Sequence, residues 1–204
     1  MGAGTLGAVV SRGDELYILS NSHVLVPSNV LEPKTLIYQP GPVDDPGGRP
    51  IAELVELSDF VPLTPTHVNY VDCAVARILD RKDVSAKFIA PVKLRSHEPL
   101  PPKENMVVEF SGRSTPHGRG VIKTLNQCCR LEYEGLGEIL FDGLLWLQSE
   151  NGKRLGLMGD SGALLINPSS GQAVALLVAV NFSGAYAIPI ERVLTALKVK
   201  LVVP

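Results

Sequence analysis

The sequence has no dense cluster of lysine or arginine: 19 basic residues face 21 acidic ones, for a net charge of −2. Nothing in it is built to neutralise a phosphate backbone or to hold an anionic lipid surface, so neither a nucleic acid nor a membrane is expected as partner. No run approaches the roughly 18 apolar residues of a membrane span, and no secretory leader is legible in Met1-Gly2-Ala3-Gly4, which leads straight into an apolar segment. There is no repeat of fixed period and no low-complexity stretch. Cysteine is scarce: Cys73, Cys128 and Cys129 are an odd count with one adjacent pair, which is no disulfide framework. Neighbours on a strand point to opposite faces, so Cys128 and Cys129 are poorly placed to share a metal. With His117 they also fit no zinc-ligand spacing. Buried or half-buried free thiols are expected, and a reducing, cytoplasmic location with them. An abrupt start equally fits a domain cut from a longer protein.

What the chain does have is turns. In 204 residues it carries 19 glycines and 16 prolines, beside 45% hydrophobic and 20% charged residues. That composition suits a globular chain of one compact unit or two small lobes made of short strands. Residues 4–10 and 16–20 read as two strands of a hairpin around Ser11-Arg12-Gly13-Asp14, with the second strand running on through Asn21-Ser22-His23-Val24-Leu25. Residues 36–39, 51–57 and 73–78 read as further strands, and 40–50 and 61–71 as loops. The charged, proline-rich stretch at 91–104 is the candidate connection between an N-terminal lobe (1–90) and a C-terminal lobe (105–204). In the second lobe, strands are expected at 106–110, 121–125, 129–133, 143–148, 162–166, 173–180 and 185–188. One helix is expected at the end, after Pro189, with Val193, Leu194 and Leu197 on one face. The expected class is all-β, with short strands and frequent turns that suggest barrels or sandwiches, and a short C-terminal helix.

The stretch with chemistry in it is Gly159-Asp160-Ser161-Gly162, followed by the apolar run Ala163-Leu164-Leu165-Ile166. A serine hydroxyl is a weak nucleophile and needs a base to take its proton. It also needs backbone N–H groups aimed at the oxyanion that forms, and flanking glycines let the chain turn sharply enough to present them. Alone, the tetrapeptide also reads as a plain turn, His23 as a loop histidine, and Asp72 as a solvated turn acid. Together they change the reading. Leu19-Ser20-Asn21-Ser22-His23-Val24, then Asp72-Cys73-Ala74-Val75-Ala76, then Gly159-Asp160-Ser161-Gly162-Ala163-Leu164 stand in the order histidine, aspartate, serine. That is the chain order of the chymotrypsin family, and the sequence resembles that family over nearly its whole length, closest to its compact bacterial trypsin-like members.

The resemblance implies two six-stranded antiparallel β-barrels with a cleft between them. His23 and Asp72 would come from the first lobe and Ser161 from the second. Ser161 would attack a peptide carbonyl, His23 would accept its proton and pass it to the leaving amine, and Asp72 would orient and stabilise the imidazole. The amides of Gly159 and Ser161 would form the oxyanion hole, with Asp160 an orienting residue rather than the triad acid. A specificity pocket would have Leu155 near its floor and Val180, Asn181, Phe182, Ser183 and Gly184 in its walls. No acid stands at those places, so a small or apolar P1 side chain is expected rather than Arg or Lys. The implied chemistry uses no cofactor and no metal, and its partner is a protein or peptide substrate. The sequence departs from the family at Asn21-Ser22-His23-Val24, where a cysteine usually follows the histidine, and at its N-terminus, so a regulatory partner or linked domain would supply any activation. A catalytically silent binding domain and an esterase are the alternative readings. His67, His97 and His117 lie in proline- or glycine-rich loops and are expected to be solvated.

Overall fold

A computed structural model describes residues 3–26, 32, 34–58, 61, 67–133 and 135–204. Strands β1 (Ala8–Arg12) and β2 (Glu15–Ser20) form the expected hairpin in the register Val10↔Tyr17, with Gly13 at φ +60 in the turn. The same sheet takes β3 (Leu36–Gln39), β4 (Arg49–Leu57) and β5 (Ala74–Ile78). Its sixth strand is β12 (Lys200–Leu201), the end of the chain, which returns to pair with β1; the order is β12-β1-β2-β5-β4-β3. The second sheet holds β6 (Val107–Phe110), β7 (Gly118–Tyr133), β8 (Gly137–Ser149), β9 (Leu164–Ile166), β10 (Ala173–Val180) and β11 (Ala185–Pro189). It closes into a barrel in the order β10-β11-β8-β7-β6-β9, and every strand pair in both sheets is antiparallel. The part of the expected 61–71 loop at 62–66 lies outside the described residues.

Strand periodicity sorts the core into layers. On β2, Ile18 packs with Ile51, Ala52 and Ala76 inside the first lobe, while Tyr17 and Leu19 turn the other way, towards Val10, Val75, Leu164, Leu176 and Ile188. The second group joins the lobes into one continuous interlobe core. Inside the barrel, Phe110, Ile122, Leu145, Leu147, Leu165 and Leu177 form a separate cluster. Each side chain of this size contributes about 1.5–3 kcal/mol when fully buried, so the interlobe cluster, rather than a few polar contacts, holds the lobes together. The proline-rich 91–104 stretch runs along this core: Val92 and Leu94 are buried in it, and the Arg95 and Leu100 amides donate to Gly171 and Ala173 carbonyls.

Three local expectations are corrected. β2 ends at Ser20, and His23 lies on a single helical turn, α1 (Ser22–Leu25), because the Asp72 carboxylate accepts the Ser22 and His23 amides at its start. The separate short strands expected at 121–125, 129–133 and 143–148 are arms of one long hairpin, β7–β8. Register shifts near Thr124 and Gln127 and a left-handed Asn126 (φ 57) bend β7 without ending it, which is how a bulge masquerades as a turn in the sequence. The strand expected to open at residue 162 begins at Leu164, since Ser161 and Gly162 are still in the turn. The expected helix is α2 (Ile190–Leu197); its buried face is Ile190, Val193 and Leu197, with Leu194 only partly covered.

Candidate active site

His23 and Asp72 meet directly. Nδ1 of the imidazole lies 2.5 Å from Asp72 Oδ2, and the Asp72 side chain is 0% exposed against 25% for His23. The other carboxylate oxygen, Oδ1, accepts the Ser22 and His23 amides at 2.7 and 3.3 Å. Oδ2 also accepts the Tyr133 hydroxyl at 2.8 Å. Burial pulls the His23 pKa down, but the charge of Asp72 and its hydrogen bond outweigh burial, so the net shift is upward from 6.5. The Asn21 side chain donates to the Asp72 carbonyl at 2.8 Å, fixing the backbone that carries the acid to the backbone that carries the imidazole.

Ser161 comes from the other lobe, on the turn before β9. The Ser161 turn lies against the first lobe: a Cβ on Gly4 would sit 2.6 Å from the Val24 methyls and 3.0 Å from the Ser161 carbonyl. A Cβ on Gly162 would overlap the Ser20 hydroxyl and the Thr5 carbonyl, so only glycine fits there. The Ser161 hydroxyl donates to the Val178 carbonyl at 2.8 Å. Among the described residues no hydrogen bond joins it to His23 in this conformation.

The backbone around Ser161 is held from several sides. Gly159 has φ +96, and the Asp160 amide donates to the Leu157 carbonyl at 3.1 Å, so Leu157-Met158-Gly159-Asp160 is a tight turn with the left-handed residue at its third position. Asp160 is fully buried, and its carboxylate accepts the amides of Leu157 (2.7 Å), Ser114 (2.9 Å) and Thr115 (2.9 Å). Thr5 donates its hydroxyl to the Gly159 carbonyl and its amide to the Ser161 carbonyl, both at 2.9 Å. The Gly159 and Ser161 amides themselves donate to no acceptor among the described residues, whereas their neighbours Asp160, Gly162 and Ala163 all do. Unpaired N–H groups on Gly159 and Ser161, one residue apart on the turn that carries the serine hydroxyl, are donors of the kind that can receive a developing negative oxygen.

The residues expected around a specificity pocket are placed as follows. Leu155 is buried in the barrel core, its methyls against Gly120. A Cβ on Gly156 would meet Asp160 Oδ2 at 3.0 Å and a Val180 methyl at 3.2 Å. Asn181 folds the β10–β11 turn, its Oδ1 accepting the Ser183 and Gly184 amides at 2.8 and 2.9 Å. Phe182 is 88% exposed, with the Arg154 guanidinium 4.8 Å over its ring. Of the remaining histidines, all three are exposed as expected, with His97 bonded to the Leu201 carbonyl and His117 to Glu109. All three cysteines are free; Cys73 is buried and Cys129 half-buried, but Cys128 is exposed on the outer face of β7, contrary to expectation. Tyr133, Thr5 and Ser114 were not legible as site residues, because none stands in a motif; Thr5 is 154 positions from Gly159, Tyr133 61 from Asp72 and Ser114 46 from Asp160.

The fold is that of the chymotrypsin-like serine proteases in their bacterial form. Among solved structures, the chain is similar to a glutamic acid-specific serine protease that uses a histidine triad in substrate binding (15% identity, TM-score 0.65, covering 96% of this chain and 91% of that one). It is similar also to Cellulomonas bogoriensis chymotrypsin (15%, 0.63, 100% and 98%) and to Thermobifida fusca protease A (17%, 0.62, 98% and 92%). Neither a family model nor a curated protein matches the sequence. No described helix is long and apolar enough to cross a membrane.

Proposed function

We propose that the protein is a serine endopeptidase working through Ser161, His23 and Asp72 and an acyl-enzyme. The observation that carries this reading is the His23–Asp72 hydrogen bond at 2.5 Å, its acid fully buried, together with a serine turn whose Gly159 and Ser161 amides are left unpaired among the described residues. A carboxylate on Nδ1 leaves Nε2 as the basic nitrogen, the tautomer a general base needs. Ser161 rotates from the Val178 carbonyl towards Nε2, gives up its proton and attacks the scissile carbonyl. His23, now charged and stabilised by Asp72, delivers the proton to the leaving amine, and a water repeats the sequence to release the acid. The two amides bind the tetrahedral oxyanion, each worth about 3–4 kcal/mol of transition-state stabilisation. No acid stands at Leu155 or at Val180, Asn181, Phe182, Ser183 and Gly184, which supports a small or apolar P1 side chain.

Fluorophosphonate labelling and a P1-scanned peptide library, run on the wild type and on Ser161→Ala, test the proposal. Labelling of the wild type only, with cleavage after small or apolar residues, is expected, and Ser161→Ala should keep its melting temperature within a few degrees. An unlabelled wild type would defeat the enzymatic reading; strong cleavage after Arg or Lys would defeat the pocket. The resting bond from Ser161 to Val178 favours one second reading, a silent binding domain on the same fold, and the same labelling decides between them.

A further inference from the structure

We infer that Tyr133 is a positioning residue for the His23–Asp72 pair, through which the second lobe's hairpin fixes the acid of the first. The catalytic consequence rests on the peptidase reading above; the geometry does not. Tyr133 is the last residue of β7, at the far end of the hairpin, and is only 7% exposed. Its hydroxyl donates to Asp72 Oδ2 at 2.8 Å, its ring stands edge-on to the imidazole with centroids 5.0 Å apart, and Phe141 of β8 stacks behind it at 5.9 Å.

The hairpin grips the segment before Asp72 as well. The Asn69 amide donates to the Leu140 carbonyl at 2.8 Å, the Asp142 amide donates to the Asn69 carbonyl at 3.0 Å, and Asn69 bridges Phe141 in parallel register. Arg192 of α2 donates to the Tyr70, Asp142 and Gly143 carbonyls at 3.2–3.4 Å, tying that segment to β8. The acid therefore belongs to one lobe by sequence and is clamped by both.

A carboxylate offers about four acceptor positions. On Asp72 two go to the Ser22 and His23 amides, one to the imidazole, and the fourth to the phenol. Without that fourth donor Oδ2 loses the contact that aims its remaining lone pair at Nδ1. The phenol also draws charge from the carboxylate, which moderates how strongly Asp72 favours the imidazolium. Burial, and then the charge of Asp72, hold the Tyr133 hydroxyl well above the ordinary phenol range, so it donates as a neutral group. The other titratable groups facing the cluster are Cys129, beside the phenol on β7, and Cys73, beside Asp72, which in turn feels Glu56.

The test is Tyr133→Phe, which keeps the ring and removes only the hydroxyl. Its two readouts are the NMR titration of the His23 imidazole and the pH dependence of kcat and KM. With more charge on Asp72, the His23 midpoint should rise by about half a pH unit or more. The acid limb of kcat/KM should move up with it, and kcat should fall about tenfold with KM nearly unchanged. A purely structural tyrosine would lower the melting temperature and leave the His23 midpoint where it was; an unmoved midpoint with unchanged kcat overturns the inference. Should Tyr133→Phe fail to fold, 3-fluorotyrosine at the same position donates more strongly and must move the midpoint down; no movement is equally fatal. The two proposals fail separately. A wild type that turns over but whose midpoint ignores the hydroxyl sinks the role of Tyr133 alone; a moving midpoint in a protein that neither labels nor cleaves sinks the peptidase reading alone.

Discussion

The Ser114 hydroxyl donates to the carbonyl of Met158 at 2.6 Å. A trans peptide points its C=O and the next N–H in opposite directions, so this bond aims the Gly159 amide away from the Ser114 loop. The same loop is held by Asp160, through the Ser114 and Thr115 amides, and by Arg113, whose amide donates to Thr5 Oγ1 at 2.9 Å and whose guanidinium Nε donates to Asp44 at 2.8 Å. The turn that carries the serine is thus built from contacts to both lobes and to the loop before β7.

Breaking those contacts should cost turnover before it costs binding. Asp160→Asn puts an NH2 group where one carboxylate oxygen now accepts a backbone amide. The expected result is a loss of about 2–4 kcal/mol in stability and of roughly 10²–10³ in kcat. Ser114→Ala frees the Met158 carbonyl and should lower kcat about tenfold with little change in KM. Steady-state kinetics beside melting curves will show it; wild-type kcat in folded Asp160→Asn would mean that the turn needs no such support.

The His23 shift sets a pH dependence. The imidazole must be neutral to act as a base, and its folded pKa is raised above 6.5. Activity should therefore rise with pH through a midpoint above 6.5, and Asp72→Asn should bring the His23 midpoint down as well as cutting kcat. For stability the sign is the reverse. A group whose pKa is raised by folding stabilises fully below its unfolded value and loses that contribution as pH rises through its folded value. The melting-temperature gap between the wild type and His23→Gln should be wider at pH 6 than at pH 9; a constant gap would show that the imidazole gains nothing from Asp72.

The thiols should separate cleanly. Burial, and then the charge of Asp72, push the Cys73 pKa up to about 12, while Cys128 is exposed. Native protein at pH 8 should react with an alkylating reagent at Cys128 and leave Cys73 untouched until it is unfolded. Peptide mapping after alkylation reads this directly, and rapid native labelling of Cys73 would contradict its burial beside the acid.

How much of this was legible varies from residue to residue. Ser161, His23 and Asp72 stood out because each sits in a short run with its own local signature, and the three runs follow a known order. Leu155 stood out only by its offset from Ser161, and the structure gives its side chain to the barrel core. Separate strands are expected from the sequence at 121–125, 129–133 and 143–148, whereas Asn126 lies within a bulge of β7 and Gly143 (φ +70) lies under Arg192 inside β8. Tyr133 had no signal at all: a tyrosine among charged residues at a strand end is ordinary until the strand is known to reach the other lobe.

The sequence by itself determined the strand-rich class, the C-terminal helix and the three residues of the candidate site, since alternation, turn chemistry and short motifs are carried by neighbours along the chain. Only the tertiary structure decided that His23 sits on a helical turn, that a phenol from the far lobe completes the shell of Asp72, and that Thr5 pins a turn 154 positions away. Those contacts depend on where two sheets come to rest against one buried core, and no local pattern encodes that position.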